Sequence, residues 1–307
     1  MHLNRRNKNI ICLSLSVVSI RAKFLLKKVE MQMKKIVLYL IILFSLFMKG
    51  TLFACTAFIG VDGETVFVGG NEDPTKLYPV ELKFEPADKD KYGRVYFVYK
   101  DDIPQTGIND QGLMFDYFAT PFSSPKVTVE KHKTEFNGLI MNKALEECAT
   151  VKQVLKLIAR YNLGFLKHYK CQVFIADSTG DSAIIEGDNI LRGNGKYQIV
   201  TNFHQSGVAK DKKPCEWYRL GCDRYKTAMT MLNDQQNISI EGFRKILAST
   251  YVKGIIAETL YSYIYDFNHG LIHVYYLHDF NKAAIVYLKE ELKKEKHSYD
   301  LSSLFVK

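Results

Sequence analysis

The sequence predicts an α+β fold with mainly antiparallel sheets, and three observations carry that expectation. Short segments of alternating or continuous apolar residues mark strands, and several adjoin tight-turn signals such as Asp62-Gly63. Two pairs of segments show helical three-to-four spacing instead. The strand blocks are separated by these helix pairs, without strict β-α-β alternation, which favours antiparallel pairing over a doubly wound sheet. Two sheets stacked face to face and covered by helices would use all of this material.

Taken in order, Cys55 to Val61 and Glu64 to Gly69 form a predicted hairpin about Asp62-Gly63. Arg94 to Lys100 and Gly112 to Tyr117 are further strands, the second following the turn Asn109-Asp110-Gln111-Gly112. Helices are predicted over Phe136 to Cys148 and Val151 to Tyr161, where Leu139, Ile140, Leu145, Val154, Leu155 and Ile158 share the helical period. Strands resume at Gln172 to Asp177, Ser182 to Glu186 and Tyr197 to Asn202. Helices follow at about Tyr218 to Leu232 and Ile240 to Ser249. The strands Tyr261 to Asp266, Leu271 to Leu277 and Ala283 to Leu288 close the chain.

The formal charge of +9 is concentrated at the N-terminus. Residues 1 to 54 carry ten Lys/Arg and a single acid, Glu30. Taking these from the totals of 42 and 33 leaves 32 basic and 32 acidic residues, so the remainder is neutral and gives no indication of a nucleic-acid partner. Lys34-Lys35, the apolar run Ile36 to Phe47 and the small residue Ala54 have the order of a secretory signal. The apolar run is short for a membrane span, which needs about 20 residues. Residues 1 to 30 make a poor additional n-region, and a start at Met31 or Met33 would give an ordinary leader. The expected organisation is therefore a leader over 1–54 and one catalytic domain over 55–307, exported to a periplasm or the extracellular space.

Cleavage before Cys55 would leave a residue carrying a thiol and a free α-amine, a nucleophile with its own base. Leu52-Phe53-Ala54-Cys55 also resembles a lipobox, which would instead lipidate Cys55 and tether the protein to a membrane. An acylated α-amine cannot act as a base, so the two fates of Cys55 exclude one another.

Cys55-Thr56-Ala57-Phe58 followed by Gly70-Asn71-Glu72-Asp73 resembles the opening of the choloylglycine hydrolase and penicillin V acylase family. Asn109-Asp110-Gln111-Gly112-Leu113 is similar to its Asn-x-x-Gly-Leu segment, and Asp177-Ser178-Thr179-Gly180 with Ile185-Glu186 to its Asp-x-x-Gly hairpin. Thr201-Asn202 and Arg224-Tyr225 match later elements, in order along the chain. The resemblance implies a four-layer αββα N-terminal-nucleophile hydrolase that cleaves linear carbon–nitrogen amide bonds without metal or organic cofactor.

Carried over by position, the resemblance makes Cys55 the nucleophile and its α-amine the proton shuttle. It makes Asp73 the partner of that amine, Asn202 an oxyanion donor, and Arg224 a neighbour of Cys55 and Asp73. Asn71 is expected to support the site, and Asp116 and Tyr117 to support it or bind substrate. Two positions depart from the pattern: Gly70 stands where the family has Arg, and Ala119 where bile-salt hydrolases have an oxyanion Asn. By residue type alone, Asp73 before Pro74 could cap a turn, Asn202 could satisfy one, and Arg224 could be a solvated helix charge. His204 is left out as structural, because the α-amine makes a histidine base unnecessary.

Cys215 and Cys222 lack the spacing of a metal site, and no phosphate-cradling glycine loop is present. In an exported chain Cys148, Cys171, Cys215 and Cys222 could form disulfides, with pairing unreadable from sequence. The expected activity is hydrolysis of an N-acylated small molecule. An acyltransferase on the same scaffold and a lipid-anchored, non-catalytic binding protein are the alternatives, and a homo-oligomer is left open. The membrane enters only through the leader or a lipid on Cys55.

Overall fold

The computed structural model describes residues 31–37, 39, 55–74, 79–99, 102–120, 124–136, 138–206, 219–254 and 257–306. Contacts divide the chain into two units, 1–51 and 52–307. In the first, residues 31 to 37 are helical. Most of the expected signal segment and the junction at Leu52-Phe53-Ala54 lie outside the described residues. Among the described residues no helix is long and apolar enough to cross a membrane.

The second unit contains two large antiparallel sheets. Strands β1 (Thr56–Asp62), β2 (Thr65–Glu72), β3 (Val80–Glu85), β4 (Arg94–Tyr99), β5 (Pro104–Asn109) and β6 (Leu113–Ala119) come first. A two-residue parallel pair, β7 (Thr134–Glu135) and β8 (Tyr161–Asn162), lies apart. Then follow β9 (Cys171–Asp177), β10 (Ser182–Glu186), β11 (Asn189–Arg192), β12 (Tyr197–Val200), β13 (Tyr261–Asp266), β14 (Leu271–Tyr276), β15 (Ala284–Tyr287) and β16 (His297–Asp300). One sheet has the order β12-β1-β2-β13-β14-β15 and the other β11-β10-β9-β6-β5-β4-β3-β16.

Helices α1 (Ile140–Glu147) and α2 (Val151–Ile158) pack on the eight-stranded sheet, and α3 (Gly164–Tyr169) beside β9. Helices α4 (Arg219–Asp234) and α5 (Ile240–Thr250) cover the six-stranded sheet. Strand periodicity sets three apolar layers, because successive side chains point to opposite faces. Ala57, Ile59, Val66 and Val68 join Leu82, Phe97 and Phe174 between the sheets, while Phe58 and Phe67 turn outward to Phe243 of α5. Phe115, Val173 and Ile185 turn the other way, to Leu145 and Val154 of α1 and α2. The result is the expected αββα sandwich.

The helix ends follow their local sequence. Thr150 and Gln153 form a capping box at the start of α2, and Ser239 caps α5 through the amide of Gly242. Predicted α1 is shorter than its apolar pattern suggests, beginning at Ile140 and not at Phe136. Phe136 packs against Tyr161 instead. Strands β3, β5, β11 and β16 were not anticipated and complete the eight-stranded sheet.

Two family-like motifs act as structural clips. Asn109 Oδ1 accepts from the amides of Gln111 and Leu113, while its Nδ2 donates to the carbonyls of Leu145 and Cys148. It therefore fixes both the β5–β6 turn and the end of α1. Gly112 in that turn has φ +82°, and a Cβ there would lie 2.8 Å from Ser178 Cβ. Asp177 accepts from the amide of Thr179 in its own turn and from that of Val151 at the start of α2.

Candidate active site

The site forms where β1 begins, β2 ends and α4 crosses them. The β1–β2 hairpin pairs Thr56 with Asn71 and Ala57 with Gly70, bringing Cys55 beside Glu72 and Asp73. Arg224 of α4 reaches over this junction and is only 5% exposed. Its Nη1 donates to the Cys55 carbonyl at 2.7 Å and to Thr56 Oγ1, and lies 3.5 Å from Asp73 Oδ2. Its Nη2 donates to Asn202 Oδ1 at 3.1 Å. The guanidinium fork thus joins three of the expected site positions to one helix, a geometry that a lysine ammonium lacks.

Asn202, following β12, is held at both ends. Its Oδ1 accepts from Arg224, and its Nδ2 donates to the Ala119 carbonyl at 3.0 Å. The backbone of Ala119 thus anchors the Asn202 amide. Thr201 ties the same segment to α4 by donating to the Gly221 carbonyl at 3.1 Å. Asp73 is fully buried; its Oδ1 accepts from Thr259 Oγ1, while Oδ2 has no hydrogen-bond donor. Burial raises the Asp73 carboxyl to about 7, despite the opposing effects of Arg224 and Thr259.

Cys55 is 2% exposed, and its thiol is pushed well above its ordinary range. Burial is the largest cause, followed by the charges of Glu72, Asp73 and Asp116. The backbone amide of Asp73 opposes them weakly. Glu72, which the sequence reading did not select, accepts from Cys55 Sγ at 3.3 Å. A period-two count along β2 from Val66 and Val68 would have placed Glu72 on the inter-sheet face with Cys55.

The remaining expected residues divide. Asp116 of β6 points between the sheets and accepts from Tyr263 OH at 2.6 Å. Tyr117, its neighbour, must face the other way and packs against Phe115 and Phe165 in the outer helical layer. Its expected part in the site is corrected on that ground. Asn71 also faces outward, donating to the Leu247 carbonyl and Thr250 Oγ1 of α5 and accepting from Ser262. Its support is thus indirect: it locks β2 against α5.

The architecture is that of a group of solved structures. Two structures of conjugated bile acid hydrolase from Clostridium perfringens are similar at 18% and 17% identity, with TM-scores of 0.58 and 0.59. Each likeness covers 80% of this chain, and 97% and 96% of theirs. This is the N-terminal-nucleophile hydrolase fold. Penicillin V acylase from Agrobacterium tumefaciens shares the fold at 16% identity and a TM-score of 0.55, over 80% of this chain and 92% of its own. No family model matches the sequence, and no curated protein matches it.

Within this fold, Gly70 has a steric reason. It pairs directly with Tyr263 of β13, and a Cβ at position 70 would lie 2.4 Å from Tyr263 Cζ. An arginine there would require the buried Tyr263 ring to move. Among the described residues no group of three or more His, Cys, Asp or Glu side chains could hold a metal ion. Cys148 and Cys171 are free, so they do not form the disulfides open to them in sequence; burial raises both thiols. Cys222 is disulfide-bonded, and Cys215 lies outside the described residues. His204 lies next to Glu186, and burial lowers its imidazole.

Proposed function

We propose that this chain is an exported cysteine amidohydrolase, acting on a linear amide bond of an N-acylated small molecule once residues 1–54 are removed. The observation that carries the reading is the convergence of Cys55, Asp73, Asn202 and Arg224 at the start of β1. The fold shared with a conjugated bile acid hydrolase and a penicillin V acylase supports it. The disulfide at Cys222 supports an oxidising compartment.

In this reading Cys55 Sγ attacks the amide carbon. Asp73 Oδ2, a buried acceptor with no donor of its own, holds the α-ammonium that gives a proton to the leaving nitrogen. Asn202 Nδ2 offers its second hydrogen to the developing oxyanion, its plane fixed by Arg224 and Ala119. Water then hydrolyses the thioester. The acyl portion is apolar, in keeping with the aromatic-rich composition of the chain.

A panel of conjugated bile salts, penicillin V, N-acyl amino acids and acyl homoserine lactones, offered to protein starting at Cys55, tests the activity. Release of free amine and acid supports hydrolysis. Acyl transfer to an added amine would assign the site to an acyltransferase, and a diacylglyceryl adduct on Cys55 would contradict the whole reading.

The buried acids give a second expectation. Glu72, Asp73 and Asp116 all have raised pKa values in the folded chain, with burial the largest cause of each. Such groups cost stability as pH rises from the unfolded carboxylate value of about 4 towards the raised folded value. Protein retaining the leader residues is therefore expected to melt several degrees lower at pH 8 than at pH 5. Protein starting at Cys55, with an ammonium beside Asp73, should lose less. Thermal melts of the two forms at both pH values check this, and equal pH dependence would contradict the ammonium–Asp73 pairing.

A further inference from the structure

The Cys55 thiol points into a cluster of acids, while Arg224 takes the carbonyl of the same residue. Its Sγ donates to Glu72 Oε2 in a fully buried contact at 3.3 Å. Glu72 interacts in turn with Asp116 of β6, which Tyr263 of β13 holds through its hydroxyl at 2.6 Å. Glu72 Oε1 and Asp116 Oδ1 have no conventional donor, although both residues are essentially inaccessible. Two carboxyls held together in the core resist double ionisation, so one proton shared between them satisfies both oxygens.

The groups facing this pair are Cys55 of the nucleophile segment, Asp73 at the end of β2, Tyr99 of β4, and Tyr261, Tyr263 and Tyr265 of β13. None of these side chains is a cation; the one cation that the amidohydrolase reading adds beside the thiol is the α-ammonium of Cys55 itself, engaged by Asp73. Arg224 is directed at the Cys55 carbonyl, Thr56, Asn202 and Asp73. An arginine at position 70 would displace the ring of Tyr263, the residue that also holds Asp116. The side chains around Sγ therefore oppose a standing thiolate, and with the α-ammonium kept as the acid for the leaving nitrogen another group must take the thiol proton during attack. An ordinary carboxylate, with a pKa near 4, is a poor base for a thiol near 9. Burial and Asp116 raise Glu72, making it a stronger base than an ordinary carboxylate, against a thiol that burial raises as well.

We propose that Glu72, held in place by Asp116 and Tyr263, is the proton acceptor for the Cys55 thiol and so a further catalytic residue. The proposal rests on the amidohydrolase reading and divides its proton transfers between two groups. As Sγ bonds to the acyl carbon, the thiol proton passes to Glu72 Oε2 while the proton that the pair shares settles on Asp116, leaving both carboxyls neutral. The tetrahedral adduct then breaks its C–N bond, and the nitrogen leaves with a proton from the α-ammonium. In deacylation a water oxygen bonds to the acyl carbon while the neutral α-amine takes one of its protons. The C–S bond breaks, and sulfur recovers its proton from Glu72. One amide and one water give one acid and one amine, with both bases restored. Asp116 acts through Glu72 and is a positioning residue.

The test uses protein starting at Cys55, with Glu72→Gln and Asp116→Asn, and reads two quantities. The first is Cys55 ionisation, followed by the ¹³Cβ shift of labelled cysteine; the second is kcat/KM against pH on the best amide of the panel. Glu72→Gln confines the charge of the pair to Asp116, which raises the thiol less than Glu72 does, so the thiol midpoint should fall by about one pH unit or more. Despite that more acidic thiol, kcat should fall by about 10²-fold or more with KM nearly unchanged. A residue that merely burdens the site with charge would give the opposite result, an equal or faster enzyme. Asp116→Asn keeps the base but removes its acidic neighbour, so the rising acid limb of kcat/KM should move to lower pH.

Undiminished turnover in Glu72→Gln, or a thiol midpoint that it does not move, would overturn the proposal. Should Glu72→Gln fail to fold, Asp116→Asn decides: an unmoved acid limb overturns the assignment. Wild-type protein inactive on every amide would overturn the amidohydrolase reading and, with it, the catalytic role. The thiol titration would still separate that failure from failure of the Cys55–Glu72 contact.

Discussion

Cys55→Ala, in protein starting at this position, is expected to reduce acyl-amide turnover by about 10⁴-fold or more. The size follows from the chemistry, because without sulfur there is no acyl-enzyme and the α-amine has no thioester to help form or hydrolyse. Folding should survive the change. Cys55 contributes one small buried side chain at the edge of the inter-sheet core, where its loss removes little apolar area. Removing the thiol also takes one weak hydrogen-bond donor from the buried Glu72 carboxyl, a small cost. The variant should therefore melt within a few degrees of the wild type while releasing no product. Parallel melting and product assays check both halves, and equal turnover by the two proteins would remove Cys55 from the mechanism.

Arg224→Met is expected to have the largest effect on stability. The guanidinium ties α4 to Cys55, Thr56 and Asn202 and partly offsets the Asp73 carboxylate, all in a nearly dry environment. Removing one partner of a buried pair leaves the other charge uncompensated, which typically costs about 3–5 kcal/mol. For a domain of this size that corresponds to roughly 10 °C in melting temperature. Loss of the Nη2 contact also frees the Asn202 side chain, and misplacing one oxyanion donor costs about 10²–10³ in kcat. Asp73→Asn combined with Arg224→Met should cost less than the two single changes summed, because each single change disturbs the same group. Denaturation curves and steady-state kinetics of the three variants check this. Strict additivity would indicate that Arg224 and Asp73 do not interact.

Much of the fold was legible because turn chemistry and periodicity agreed. Asp62-Gly63 set the hairpin, and the strands on either side alternate as predicted until the chain reaches Gly69-Gly70. The two glycines hid the continuation, since Gly-Gly-Asn-Glu-Asp reads as a turn when it is in fact the end of a central strand. Glu72 was missed for that reason. Tyr117 failed for a related one, since adjacent residues of a strand cannot both enter one site. Strand β5 was hidden by Pro104 and Gly107, residues depleted in strands. Strand β3 alternates regularly from Val80 to Glu85, a pattern present in the sequence itself. Asn109 and Asp177 were recognisable as motif positions, but only the structure distinguishes a clip between a turn and a helix from a residue of the site. The absence of an arginine at position 70 was visible in sequence; its cause, the ring of Tyr263, comes from the facing strand 193 residues away.

The central claim is that the α-amine of Cys55 takes part in the reaction. Turnover of the same amide by protein starting at Cys55 and by protein retaining Ala54 tests it most directly. Both forms keep the thiol, Glu72, Asn202 and Arg224, and differ in whether the nitrogen of Cys55 is an amine or a peptide. The account predicts turnover by the first form and a loss of about 10²-fold or more in the second, since the leaving nitrogen then has no acid. Equal rates in the two forms would contradict it.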